Sequence, residues 1–340
     1  MKSILCFVTL TTIFAATATP AAAQTPATAP APALTSSPSV FVNGIRREDE
    51  IVVVNTRLLC GVCDPESIRS GIQVENYAVR DEVGYRRWQS SDLSSFLAFD
   101  PSVRTIFFVH GNQITPGDAK NEGLEVYRRL MCYGANDARI RFVIFSWPSA
   151  KVAGPLRDFQ IKASRTGPAG VQLAWLIGQM PAETPVSLLG FSYGARIVTG
   201  GLHVLAGGEL GGCGLKEHAH PNRAHVNAVL MAAATHVCWL GEGQNHGLAL
   251  TQVDRVFFIN SSRDPAMRFY ALSVPGRGGP QAIGLCGPTC LSAEQAAKVY
   301  NRNISGYTGS RHDLYLYLSP PGATGQIWDY LSGTVATSSN

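Results

Sequence analysis

Gly190-Phe191-Ser192-Tyr193-Gly194 places a serine between two glycines at the spacing of a nucleophile turn. Gly-x-Ser-x-Gly occurs often by chance, so the flanking residues must carry the argument. Val186-Ser187-Leu188-Leu189 before it reads as a buried strand, and after it Ala195, Val198, Leu202 and Leu205 recur at helical spacing. Strand, sharp turn and helix is the context that lifts a serine Oγ out of a sheet. A serine held there has a strained backbone, and side chains at 190 and 194 would strike the neighbouring strand and helix. The hydroxyl also stands at a helix N-terminus, whose dipole favours developing negative charge. The chemistry is attack on an acyl carbon; the competing reading of Ser192 is an ordinary helix N-cap.

A serine hydroxyl needs a base, and an imidazole base needs an acid to orient it. After a turn of this kind the acid comes next in the chain and the histidine last. Asp264 stands in Ile259-Asn260-Ser261-Ser262-Arg263-Asp264-Pro265, the polar exit of a strongly apolar strand. Such an exit lies at the carboxyl edge of the sheet, where open α/β sheets carry their sites. Asp264 is the expected acid; the alternative is an Asx turn before Pro265. Glu242 and Asp254 are lesser candidates, the latter because it precedes its strand and belongs at the opposite edge. His312, in Gly309-Ser310-Arg311-His312-Asp313, is the only histidine after Asp264 and the expected general base. Asp313 cannot easily orient it, since adjacent side chains of an extended segment point apart. His218, His220 and His225 form a loose cluster without a matched ligand set and read as solvated loop, not as a metal site.

The tetrahedral intermediate of acyl transfer needs N–H donors aimed at its oxyanion, one following the nucleophile and one from the loop after an earlier strand. Tyr193 supplies the first. His110-Gly111-Asn112 follows the apolar run Ile106 to Val109, so the Asn112 backbone is the expected second donor. His110 itself reads as a core residue fixing that loop. Nothing in this chemistry requires a metal or an organic cofactor.

To position these groups, the chain alternates apolar β-branched runs with longer amphipathic stretches, the mark of βα units around a mostly parallel sheet. Strands are expected at Ile51 to Asn55, Ile72 to Ala78, Thr105 to His110, Arg141 to Ser146, Val186 to Gly190, Val226 to Ala232 and Arg255 to Asn260. Helices are expected at Lys120 to Met131, Gly170 to Met180, Tyr193 to Ala206 and Ile327 to Leu331. Gly207 to Arg223 and Ser273 to Tyr307 are irregular, and loops of that length are candidate covers for a site.

Of 340 residues, 45% are hydrophobic and 15% charged, a balance that suits one globular α/β domain. Residues 1–23 carry a lone Lys2, an apolar stretch and Ala21-Ala22-Ala23, the pattern of a signal peptide. Residues 24–40 form a Pro/Ala/Thr-rich linker, and the domain is expected over 41–335. The apolar part of the leader is too short for a permanent membrane anchor. The expected location is secreted or periplasmic. Without Lys2, 27 basic residues face 24 acidic ones in no long block, which argues against nucleic acid as a partner. Seven cysteines remain after the leader, an odd number, so disulfides with at least one unpaired thiol are expected. Cys60-Gly-Val-Cys63 has the spacing of a redox dithiol or half a zinc site, but stands without a partner motif.

The strand end at Val109-His110-Gly111, Phe145-Ser146-Trp147-Pro148-Ser149, Gly190 to Arg196 and Val53 to Arg57 together resemble the DUF900 family of serine-hydrolase-like proteins. Asp158 and Ala163-Ser164 also stand where that family has Asp and Ala-Ser, although Phe191 and Tyr193 depart from its usual elbow. The resemblance spans roughly residues 50 to 318. It implies an α/β-hydrolase fold and serine-hydrolase chemistry but names no substrate, and it would place Trp147 in the substrate pocket wall. The serine, base, acid and oxyanion donors themselves point to cleavage of a small-molecule or lipid-like acyl substrate, an ester or thioester. Trp147 as a core anchor is the alternative. An amidase or peptidase would use the same residues, and a non-catalytic binding protein on this fold is the reading from outside enzymology.

Overall fold

The computed structural model describes residues 40–79, 86–215, 225–273 and 281–334. The leader, nearly all of the linker, His218 and His220 lie outside the described residues.

Nine strands make the central sheet: β1 (Glu50–Asn55), β2 (Gln73–Val79), β3 (Arg86–Ser91), β4 (Arg104–Val109), β5 (Ile140–Ser146), β6 (Val186–Phe191), β7 (Val226–Met231), β8 (Arg255–Asn260) and β9 (Val299–Asn303). Their spatial order is β9-β8-β7-β6-β4-β5-β1-β2-β3. Neighbours pair in parallel except around β2, which is antiparallel to β1 and to β3. From β4 the chain winds one way through β5, and from β6 it winds the other way through β7, β8 and β9. The reversal leaves a crevice at the carboxyl ends of β4 and β6.

The apolar runs lie where their composition demands. Phe107, Phe108, Phe142, Ile144, Val229 and Phe257 are inaccessible to solvent, because helices cover both faces of a parallel sheet. Each such side chain contributes roughly 1.5–3 kcal/mol of burial. The helices that matter for the site are α1 (Pro116–Gly134), α2 (Pro155–Gly178), α3 (Tyr193–Leu205), α4 (Leu314–Leu318) and α5 (Thr324–Ser332).

Several elements differ from expectation, the short helix α4 among them. Helix α1 starts before Lys120, since Thr115 caps it in a reciprocal box with Asp118 and Pro116 occupies the first turn. Helix α2 begins at Pro155 and runs through Pro168. The Ser164 and Thr166 hydroxyls bond back to the Ile161 and Ala163 carbonyls in the turn where the proline interrupts the ladder. Strand β3 was not expected, and β9 falls inside the supposed cover Ser273 to Tyr307. The described part of that segment therefore extends the sheet edge, while 274–280 lies outside the described residues. Of the other supposed cover, 209–214 folds as a short hairpin and 216–223 lies outside the described residues.

Cys63 is bridged to Cys213 and Cys238 to Cys290, while Cys60, Cys132 and Cys286 carry no bridge. Cys60 and Cys63 are thus not a dithiol pair. Among the described residues no helix is long and apolar enough to cross a membrane.

Candidate active site

Strand β6 delivers Ser192 into the crevice with φ 56° and ψ −120°, a conformation that costs an L-residue of order 1–3 kcal/mol. The surrounding backbone holds it there. The Ser192 N–H donates to the Met231 carbonyl at 2.9 Å, and its own carbonyl accepts from Ala195 and Ala234. A Cβ at Gly190 would lie 2.6 Å from the Ala195 Cα, and one at Gly194 would lie 2.0 Å from the Val109 carbonyl oxygen. Both glycines are therefore steric requirements of the turn.

His312 and Asp264 meet Ser192 from different elements. The His312 Nε2 is 3.0 Å from the Ser192 Oγ, and its Nδ1 is 2.7 Å from the Asp264 Oδ2. The His312 ring stacks on Phe191 with centroids 4.8 Å apart. Asp264 is fully buried just beyond β8. Its two oxygens divide two tasks: Oδ1 accepts from the Met267 N–H and caps the short helix Pro265–Arg268, while Oδ2 faces the imidazole. One carboxylate thus both caps the helix and faces the imidazole.

Tyr317, on α4, was not singled out from the sequence. Its hydroxyl donates to the same Asp264 Oδ2 at 2.7 Å. Burial, then the neighbouring Asp264 charge, pushes that phenol well above its usual range, so it remains a donor. Asp313 caps α4 through the Tyr315 N–H and does not bond His312.

The loop after β4 passes against the serine, with the Gly111 Cα so placed that a Cβ there would lie 3.5 Å from the Ser192 Cβ. His110 is buried beneath it. Burial, then the Arg57 charge, draws its pKa down to about 3, so the ring is neutral. Arg57 Nη2 stands 3.3 Å from Nε2, which assigns the proton to Nδ1 and a donated bond to the Gly111 carbonyl at 3.0 Å.

Asp158, at the start of α2, fixes the next two residues of that loop. Its Oδ2 accepts from the Asn112 Nδ2 at 2.7 Å and the Gln113 Nε2 at 3.2 Å. Its Oδ1 accepts from the Val152 N–H and the Lys162 Nζ, both at 2.7 Å. Burial raises this carboxyl, but Lys162 and the converging donors outweigh it and hold the pKa below the ordinary value. Asp158→Asn strands the buried Lys162 ammonium and turns an acceptor against its donors. We expect a loss of about 3 to 5 kcal/mol in denaturant-derived stability, together with a lower kcat as Asn112 shifts. Unchanged stability and kcat would contradict this role.

Trp147 is corrected to the core-anchor reading. It is inaccessible, donates from Nε1 to the His110 carbonyl at 2.9 Å, stacks on the His110 ring, and does not line the cavity at Ser192. That cavity measures about 490 Å³, and Gln113, Glu122, Phe159, Phe191, Leu314 and Tyr315 line it together with Asn112, Ser192, Tyr193 and His312. Glu242 lines a separate cavity, and Asp254 lies at the amino end of β8 beside Arg104. His246 is buried against Thr199. Among the described residues no group of three or more His, Cys, Asp or Glu is placed to hold a metal ion.

The strand order, the elbow after β6 and the chain order of the three residues define the α/β-hydrolase fold. No family model matches the chain, and comparison with curated proteins finds no similar one. Among solved structures, the chain is similar to an inhibited esterase B from Lactobacillus rhamnosis at 11% identity and TM-score 0.37, over 78% of this chain and 83% of that one. It is also similar to an esterase from Pyrobaculum calidifontis at 14% identity and TM-score 0.35, over 79% and 83%. A lipase-esterase related protein from Clostridium acetobutylicum matches at 12% identity and TM-score 0.32, over 69% and 96%. Values this low add no weight to the assignment, which stands on the topology.

Proposed function

We propose that this chain is a serine hydrolase that cleaves a carboxylic ester or thioester through an acyl-serine intermediate. The observation that carries the reading is the continuous hydrogen-bonded line from Asp264 through His312 to Ser192 Oγ, with Ser192 and His312 both lining a cavity. In this reading His312 takes the Ser192 proton as Oγ attacks the carbonyl, and Asp264 stabilises the imidazolium. The Tyr193 and Asn112 backbone N–H groups receive the oxyanion. His312 then returns the proton to the leaving alcohol or thiol, and water, deprotonated by the same imidazole, releases the acid. The likeness to DUF900 rests on the motifs alone and belongs to the same proposal.

A fluorophosphonate probe tests the chemistry directly, because it phosphonylates a serine only where base and oxyanion donors are assembled. Stoichiometric labelling of the Ser192 peptide, with turnover of a graded series of chromogenic esters, is the expected result. Absence of both would favour the binding-protein alternative.

Export to an oxidising compartment, secreted or periplasmic, is part of the proposal. It is supported by the pattern of residues 1–23 and by two disulfide pairs of a kind rare in reducing cytosol. N-terminal sequencing of the mature protein should begin near Gln24. A mature form retaining Met1 would contradict it.

A further inference from the structure

Glu122 faces the cavity that holds Ser192 and His312, yet nothing in the proposed chemistry uses it. Its Oε1 is buried and meets no hydrogen-bond donor among the described residues. Nearby cations are engaged elsewhere. On the same helix Lys120 pairs with Glu75 and Arg129 with Glu125. Arg129 also lies over the Tyr315 ring, and Arg57 bonds Ser146 and approaches His110. The charges that face Glu122 are of its own sign: Asp118 one turn earlier on α1, and Asp313 beside His312 on the loop opposite. Burial, and then those two carboxylates, bring its pKa up to about 7. Tyr315, from α4, is the titratable phenol on the same wall.

Glu122 is half-buried, and a carboxylate with one oxygen shut off from solvent and without donor or counter-charge is costly, a cost that a ligand bringing a cation relieves. The remaining wall suits one. Phe159, Phe191 and Tyr315 line the same cavity; one face of Tyr315 carries Arg129 and one of Phe191 stacks on His312, and the Phe159 ring and the remaining faces can attract an alkylammonium group. We propose that Glu122 is a specificity-determining residue, whose carboxylate receives an ammonium group carried by the ester that Ser192 attacks. This rests on the esterase reading above and narrows its substrate class to cationic esters.

Isosteric pairs isolate the charge. One pair is an acylcholine and its carbon isostere, in which a quaternary carbon replaces the nitrogen; the other is a p-nitrophenyl trimethylammonio-alkanoate and its carbon isostere. Together they place the cation on the alcohol or on the acyl side. The readout is the ratio of kcat/KM, cation over neutral, within each pair. Ionisations that affect the chemistry of both members alike, that of His312 included, cancel in this ratio.

In one pair the ratio should be about tenfold or more near pH 8.5, where Glu122 is charged, and should fall toward one near pH 5.5, where it is protonated. In Glu122→Gln it should be near one at both pH values, and Glu122→Asp should restore part of it. A variant that merely folds poorly lowers both members together and leaves the ratio intact. Turnover with ratios near one in both pairs, or a ratio that Glu122→Gln leaves unchanged, overturns the role of Glu122 and spares the esterase reading. No turnover of any of the four esters, without fluorophosphonate labelling, overturns both.

Discussion

Ser192→Ala should abolish ester turnover and fluorophosphonate labelling while the protein still folds. The expected loss in kcat is about 10⁴ to 10⁶, the range seen when a member of such a hydrogen-bonded unit is removed. The fold should survive, because the substitution deletes one oxygen at a cavity wall and keeps the backbone bonds from Ser192 to Met231, Ala195 and Ala234. Binding and the proposed oxyanion N–H groups would remain, enough for a residual acceleration of about 10³ to 10⁴ over the uncatalysed reaction. Thermal melting of the variant beside its activity separates the two effects. More than about a tenth of the original turnover in a well-folded variant would remove Ser192 from the role of nucleophile.

The sequence made the elbow readable because local sterics dictate it. Glycines at 190 and 194, an apolar run before them and a three-to-four-residue apolar repeat after them are properties of neighbours in the chain. Asp264 and His312 were readable for a different reason, since chain order and the polar exit of Val256-Phe257-Phe258-Ile259 left few alternatives. The parts that were not readable depend on partners far away in sequence. Strands β3 and β9, Arg86–Ser91 and Val299–Asn303, are edge strands with little apolar content. Only their pairing with β2 and β8 makes them strands. A helix was expected only from Gly170, whereas α2 starts at Pro155 and packs along α3, running through Pro168.

Side-chain roles were hidden in the same way. Trp147 follows a strand end and was open to either a pocket or a core reading; only the position of the His110 carbonyl decides between them. Tyr317 stood in an apolar Leu-Tyr-Leu-Tyr-Leu run that gives no hint of a buried carboxylate beside it. From α4 its hydroxyl returns to the carboxylate that holds the histidine, a long-range contact that no local pattern announces. Glu122 lay unnoticed in an amphipathic helix, where a glutamate is ordinarily solvated.

Asp264→Asn should leave the fold and KM little changed and lower kcat by about 10⁴. The Asp264 Oδ2 accepts from two donors, the His312 Nδ1 and the Tyr317 hydroxyl, and its Oδ1 accepts from the Met267 N–H. An amide can satisfy only one side with its oxygen. If the oxygen faces Met267, the NH₂ confronts the imidazole, forces the proton onto Nε2 and leaves no base for the Ser192 hydroxyl. If the oxygen faces His312 and Tyr317, the tautomer survives, but the cap is lost at a cost of about 1 kcal/mol and the negative charge that stabilises the imidazolium is gone. Both orientations act on the transition state and neither touches the substrate cavity, so the loss belongs in kcat. Tyr317→Phe removes one donor and leaves the charge, and should cost far less. Glu242→Gln, in a cavity of its own, should change neither constant. Near-full activity in Asp264→Asn, with activity lost in Glu242→Gln, would move the acid to the loop after β7 and reduce Asp264 to the cap of Pro265–Arg268.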